Sequence, residues 1–147
     1  MFRGEFEHTI DPKGRTSLPA SFRELLSAQG SDRLVVTAAL DECLLLYPLP
    51  AWEELERKLA ALPSMDRRVR LVKRALVGRA HELSADRHGR ILLPAPLRTY
   101  AGLGRDIVFV GQISFIEVWA REKWSAGDHP FEPAEVQAAI ESLELEI

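Results

Sequence analysis

Apolar residues gather in short runs along this chain: Leu34 to Thr37, Leu44 to Tyr47, Ile107 to Val110 and Phe115 to Trp119. Such runs, bounded by turn residues, predict buried β-strands. Glu5 to Ile10 and Ala80 to Ala85 are further short strand candidates, and each leads into an Asp-x-x-Gly turn. Helical spacing takes over elsewhere. Phe22, Leu25 and Leu26 share one face of a short helix that begins after Pro19 and stops at Gly30, and Pro94 and Gly102 bracket a second one in the same way. Trp52, Leu55, Leu59 and Leu62 predict a helix over 51–62, broken by Pro63. Val69, Val72 and Leu76 predict another over 65–77, and Val136, Ile140 and Leu143 a last one from about Pro133.

The chain is a duplication. Asp11-Pro-Lys-Gly-Arg15-Thr-Ser-Leu-Pro19 recurs as Asp86-Arg-His-Gly-Arg90-Ile-Leu-Leu-Pro94. Phe22 and Arg23 align with Leu97 and Arg98, Asp32 to Val36 with Asp106 to Val110, and Tyr47 and Trp52 with Trp119 and Trp124. The offset drifts by only a few residues along the way, which marks two copies of one unit with small loop deletions. Each copy reads strand, turn, strand, short helix, hairpin. The pattern predicts an α+β chain, mainly β, with repeat units over 5–50 and 78–124, a helical linker over 51–77 and a C-terminal helix over 132–146. A unit of roughly 45 residues cannot bury an adequate core alone, so the two must pack together or with other chains.

Asp, Pro and Gly at the first, second and fourth positions are the preferences of a type I turn. Asp11, Pro12 and Gly14 meet all three, and Asp86 and Gly89 meet two. Each is expected to be a hairpin turn that delivers an arginine, Arg15 or Arg90, to the start of the returning strand. Two roles suit that arginine. It pairs with Asp11 or Asp86 as an exposed ion pair, or it offers its planar fork of N–H donors to phosphate oxygens or a guanine edge. The roles are compatible, since an aspartate can hold the arginine in position for a ligand. Lys13 adds a charge to the first turn, and Arg87 and His88 add to the second.

Composition supports a soluble globular chain, 46% hydrophobic and 28% charged. No stretch approaches the roughly 18 apolar residues that span a bilayer, and the amino terminus lacks a signal-peptide core, so a cytoplasmic protein without a membrane partner is expected. The net charge of −3 looks wrong for a nucleic-acid binder, yet its distribution is uneven. Ser64 to Arg90 holds eight basic residues against three acids, whereas Phe131 to Ile147 holds five glutamates and no basic residue. The basic run from Arg67 to Arg79 reads either as a stripe for a nucleic-acid backbone or as a solvated helix face.

Other chemistries find little footing. Cys43 is the only cysteine, which excludes a disulfide framework or a Cys-rich zinc site and suits a small buried hydrophobe. His8, His81, His88 and His129 lack metal-ligand spacing, so no metal or cofactor is expected. Trp52, Trp119 and Trp124 suit core or interface packing. Asp86, His88 and Arg90 lie close together with Ser17 and Ser84 as neighbouring hydroxyls, but no nucleophile elbow, phosphate loop or paired-acid motif accompanies them. The first copy also has Lys13 where the second has His88, leaving a catalytic histidine unmatched. Neither an enzyme nor a small-molecule substrate is expected.

Met1-Phe-Arg-Gly4, the two Asp-x-x-Gly-Arg turns with their Leu-Pro flanks, Gly78-Arg-Ala-His-Glu82, Val110-Gly111 and Phe115-Ile-Glu-Val-Trp119 with Trp124 together resemble the MraZ family of bacterial transcriptional regulators. The likeness runs from residue 1 to about 125. It implies tandem swapped-hairpin units, like those of the AbrB transition-state regulators, forming one pseudo-twofold β-barrel. It also implies ring-like homo-oligomers, octamers or larger, that bind double-stranded DNA at short direct repeats upstream of their own division and cell-wall operon, close to the nucleoid. The family's motif falls on Asp11 with Arg15 and on Asp86 with Arg90, and its DNA-contacting positions on Lys13, Arg15 and Arg90. Where this chain has His88 the family often has Gln. The competing expectation is a non-catalytic oligomeric scaffold whose basic helix and acidic tail recruit proteins.

Overall fold

The fold is described from a computed structural model, in residues 1–125 and 130–147. His129 lies outside these. Eight strands are arranged as a six-stranded sheet in the order β1-β7-β8-β4-β3-β5 and a separate two-stranded ribbon of β2 with β6. The strands are β1 (Glu5–Thr9), β2 (Arg15–Ser17), β3 (Arg33–Ala38), β4 (Leu44–Pro48), β5 (His81–Ser84), β6 (Arg90–Leu92), β7 (Asp106–Gly111) and β8 (Ile116–Ala120). The apolar runs of the sequence therefore form the four central strands.

Pairing crosses between the repeats. The first strand of each copy leaves its own unit, so the hairpins expected across the two Asp-x-x-Gly turns do not form: β1 pairs antiparallel with β7, and β5 with β3. The second strands pair with each other, as do β4 and β8 at the middle of the sheet. Exchanging the two repeats leaves this list of partners unchanged, as expected when two equal units each lack half of a core.

Strand alternation sorts the sheet into two faces. Leu34, Val36, Leu44, Leu46, Ile107, Phe109, Ile116 and Val118 point one way and join the main buried cluster. That face is covered by the ribbon, through Leu18, Ile91 and Leu93, and by helices α1 (Ala20–Ala28) and α4 (Ala95–Tyr100), which bury Phe22, Leu26 and Leu97. Both helices begin after a proline cap, Pro19 or Pro94, as the sequence predicts. On the opposite face Cys43, Val108, Val110 and Trp119 form a smaller cluster.

Helix α2 (Leu49–Ala60) buries Trp52 against Tyr47, at 5.5 Å between ring centroids, and packs on β3 and β4. Helix α3 (Arg67–Val72) starts at Asp66, whose carboxylate accepts the Arg68 N–H at 2.9 Å. The single helix expected over 65–77 instead changes at Lys73 into a π-helical turn, Lys73–Val77. A physical reason lies on β3: the fully buried Thr37 hydroxyl donates to the Leu76 carbonyl at 2.6 Å, and a buried hydroxyl needs such a partner. Helix α5 (Arg121–Trp124) covers β7 and β8, and α6 (Pro133–Ser142) buries none of its residues.

Candidate nucleic-acid interface

The two Asp-x-x-Gly turns are built alike, atom for atom. In the first, Gly14 N–H donates to the Asp11 carbonyl at 2.9 Å, while one Asp11 carboxylate oxygen accepts the backbone N–H groups of Lys13 and Arg15, both at 2.9 Å. The other carboxylate oxygen accepts Arg15 Nε at 2.7 Å. In the second, Gly89 N–H donates to the Asp86 carbonyl at 2.9 Å, and one Asp86 oxygen accepts His88 N–H at 2.8 Å and Arg90 N–H at 2.9 Å. Arg90 Nε donates to the remaining oxygen at 3.0 Å. Each aspartate thus fixes both the turn and the root of its guanidinium. Among the described residues neither arginine has a further side-chain partner, so the terminal amino groups of both forks remain available. The side chains of Arg15 and Arg90 are 42% and 40% exposed.

These bonds also set the charge state. The Arg15 backbone N–H and then its guanidinium hold the Asp11 carboxyl below the usual carboxylate range, and the Arg90 backbone N–H is the chief cause of the same shift at Asp86. A carboxyl lowered in the folded state contributes stability that is present above its unfolded value, ~3.9, and lost as pH falls through the lower folded value. Followed by NMR through the Gly14 and Gly89 amides, the turns are therefore expected to hold constant from pH 7 to about pH 5 and to change with midpoints below ~3.9. Midpoints at or above that value would show that the carboxylates do not hold the turns.

The ribbon brings the two arginines together. Its register sets Arg15 opposite Leu92, Thr16 opposite Ile91 and Ser17 opposite Arg90. Thr16 and Ile91 face inward, 2% and 1% exposed, which leaves Arg15 and Arg90 on the outer face as diagonal neighbours, roughly 7–8 Å apart by ordinary sheet geometry. The turns flank this ribbon at its two ends. Lys13 is exposed on one of them, and Arg87 and His88 are exposed on the other, where Arg87 Nε donates to His88 Nε2 at 3.3 Å.

Each turn is braced by the other repeat. Leu93 N–H donates to the Gly14 carbonyl at 2.9 Å, and Leu18 N–H to the Gly89 carbonyl at 3.0 Å. Gly14, at φ +93°, has room for no side chain, because a Cβ would sit 2.8 Å from the Leu93 carbonyl oxygen and from the Arg98 guanidinium. At Gly89, φ +74°, a Cβ would collide with the Arg23 side chain. Arg23 and Arg98 are therefore part of the site, although sequence reasoning gave them no role. Their alignment with each other across the duplication was the only signal.

The other candidates separate from the ribbon. Thr37 points away from the main core and meets the π-helical turn, so the helical part of the basic run, 67–77, lies on the opposite side of the sheet. There Arg68 pairs with Asp66 at 2.6 Å and Arg70 donates to the Ser64 and Met65 carbonyls, whereas Arg79, at the end of the run, lies 5.0 Å from the ring centroid of Tyr100 on α4. Cys43 is fully buried beside Glu117, with Sγ 3.7 Å from a carboxylate oxygen, and burial pushes its thiol well up. Among the described residues no three His, Cys, Asp or Glu side chains come together as metal ligands, and no helix is long and apolar enough to cross a membrane.

A family model for the MraZ protein matches the chain twice, over residues 1–75 and 76–132. The chain is 46% identical over 150 residues to the transcriptional regulator MraZ of Thioalkalivibrio sulfidiphilus, covering 99% of this chain and 100% of that relative. It is 48% identical to the protein of the same name from Pelotomaculum thermopropionicum, over 84% of this chain and 83% of the relative. The Heliobacterium modesticaldum protein of that name is 40% identical over the full length of both.

Proposed function

Since the chain belongs to the MraZ family, we propose that it is a transcriptional regulator that binds double-stranded DNA in a sequence-specific way, without catalysis. Its targets in this reading are short direct repeats upstream of its own division and cell-wall operon, met at the nucleoid by a ring of eight or more subunits. The observation that carries the proposal is the ribbon: two guanidinium forks, rooted by Asp11 and Asp86, share one exposed face with their terminal donors free. Arginine in that state grips phosphate oxygens or the O6 and N7 edge of guanine with two parallel bonds. Lys13 and Arg87 extend the positive surface to both turns, with His88 as a polar neighbour of Arg87.

A ring would set several ribbons in a row, so that individually weak contacts add up on a repetitive duplex. It would also reconcile an acidic chain with DNA, provided the glutamate-rich tail lies away from the ribbon. The exchange of strands between repeats supports reading the fold as the swapped-hairpin, pseudo-twofold barrel type, with each repeat supplying one turn. The test is a gel-shift titration of the full chain against its own upstream region at two salt concentrations, beside a scrambled duplex. Preferential binding of the native repeats that weakens as salt rises is expected. Equal binding of both duplexes, or none, would overturn the proposal.

A further inference from the structure

A cavity of about 680 Å³ opens beside the first turn, and four arginines line it: Arg15, Arg90, Arg98 and Arg105. Among the described residues Asp11 is the only acidic one of its lining, and that carboxylate is already engaged by Arg15. Arg98 is half-buried and anchored, its Nε donating to the Leu93 carbonyl at 3.0 Å. Arg105 is exposed and has no side-chain partner among the described residues, while its backbone carbonyl accepts Ile10 N–H at 2.8 Å and so fixes the loop that carries it. Thr16, 2% exposed, lines the same cavity and holds a buried hydroxyl without a hydrogen-bond partner among the described residues. Arg15 and Arg90 are already paired with Asp11 and Asp86, which leaves the charges of Arg98 and Arg105, beside an unsatisfied hydroxyl, to meet an anion with several acceptor oxygens.

The duplication supplies an internal control. A related cavity of about 810 Å³ lies beside the second turn, where two arginines, Arg23 and Arg87, meet two aspartates, Asp32 and Asp86. The repeat equivalent of Arg105 there is Ser31. Charge is balanced on that side, whereas on this one Arg98 and Arg105 stand in excess of the two aspartate-paired arginines, although both hollows come from the same unit.

From this asymmetry we propose that the cavity beside the Asp11 turn is a phosphate-binding cleft, built by both repeats, in which Arg98 and Arg105 hold a phosphate group while Arg15 and Arg90 reach past it. The inference rests on the DNA-binding reading for its favoured source of phosphate, the duplex backbone. A phosphate contact is independent of sequence and contributes a salt dependence of about one counterion per group neutralised. Arg98 props Gly14, so its removal would disturb the turn. Arg105 is free and is the residue to change.

Two measurements on the full chain decide the matter. In the first, duplex affinity is measured over a range of salt for the wild type, Arg105→Ala and Arg105→Lys. Arg105→Ala is expected to weaken native and scrambled duplexes alike, about tenfold, and to reduce the salt slope by about one, while Arg105→Lys keeps the slope. In the second, inorganic phosphate is titrated without DNA while the Thr16, Arg98 and Arg105 amides are followed by NMR. Saturable shifts that disappear in Arg105→Ala are expected. If those shifts appear but the duplex slope is unchanged, the cleft takes a free phosphate rather than the backbone. If the wild type binds no duplex, the regulatory reading fails and the phosphate titration alone judges the cleft. An Arg105→Ala protein unchanged in both measurements overturns the proposal.

Discussion

Replacing Arg15 with alanine is expected to lower affinity for the native repeats about 10- to 100-fold while leaving the folded chain and its assembly intact. The separation of effects follows from the geometry of the first turn. Asp11 keeps its backbone bonds to Lys13 and Arg15 after the side chain is gone, because those donors belong to the main chain. What disappears is the guanidinium, and with it the charge that neutralises Asp11. The duplex would then meet an uncompensated carboxylate where a cation stood. Arg15→Lys should recover part of the electrostatic attraction but not the two parallel bonds, since an ammonium lacks the planar fork. Gel shift with native and scrambled duplexes, alongside a sizing column, checks the result. A variant that binds its repeats normally yet falls apart on the column would make Arg15 a structural residue.

The second large effect concerns stability. Phe22→Ala is expected to cost about 3–5 kcal/mol, the range for removing a buried aromatic side chain and leaving a hole. Phe22 is 1% exposed and meets Phe2 and Phe6 edge-on, with ring centroids 5.3 and 5.1 Å apart. Those contacts tie the chain's amino terminus, β1 and α1 to the same core. A domain of this kind has a net stability of only about 5–15 kcal/mol, so the loss would be a large fraction of the whole. Chemical denaturation measures it as a lower midpoint with an unchanged slope. A loss below about 1 kcal/mol would mean that the aromatic cluster is not the closely packed core it is here taken to be. Because α1 also carries Arg23, which lies against Gly89, partial unfolding would loosen the second turn as well.

The turns and their arginines were legible in the sequence because everything that makes them is local. Asp11 and Arg15 lie within five residues, and turn chemistry in that span does not depend on the rest of the chain. The duplication was legible too, and with it the need for two units to share a core. Which strands pair was not. Glu5 to Ile10 reads as one arm of a hairpin with the strand after its own turn, yet it pairs with β7, since apolar spacing records burial and not the partner. The props beneath the turns were hidden for the same reason. Arg98 lies beside Gly14 and Arg23 beside Gly89 only after the repeats have interlocked. The π-helical turn follows from a hydroxyl on β3 that no local window includes.

The crossed pairing also bears on how the protein is made. While the ribosome has delivered only the first repeat, β1 has no β7 and β3 lacks β5 on its outer side. In the nascent chain β3 waits for β5, complete at Ser84, and β1 waits for β7, complete at Gly111, which takes several seconds at ordinary rates of synthesis, on the order of 5–20 residues per second. Translation speed and chaperone supply are therefore expected to change the yield of this chain more than that of a tandem of self-contained units.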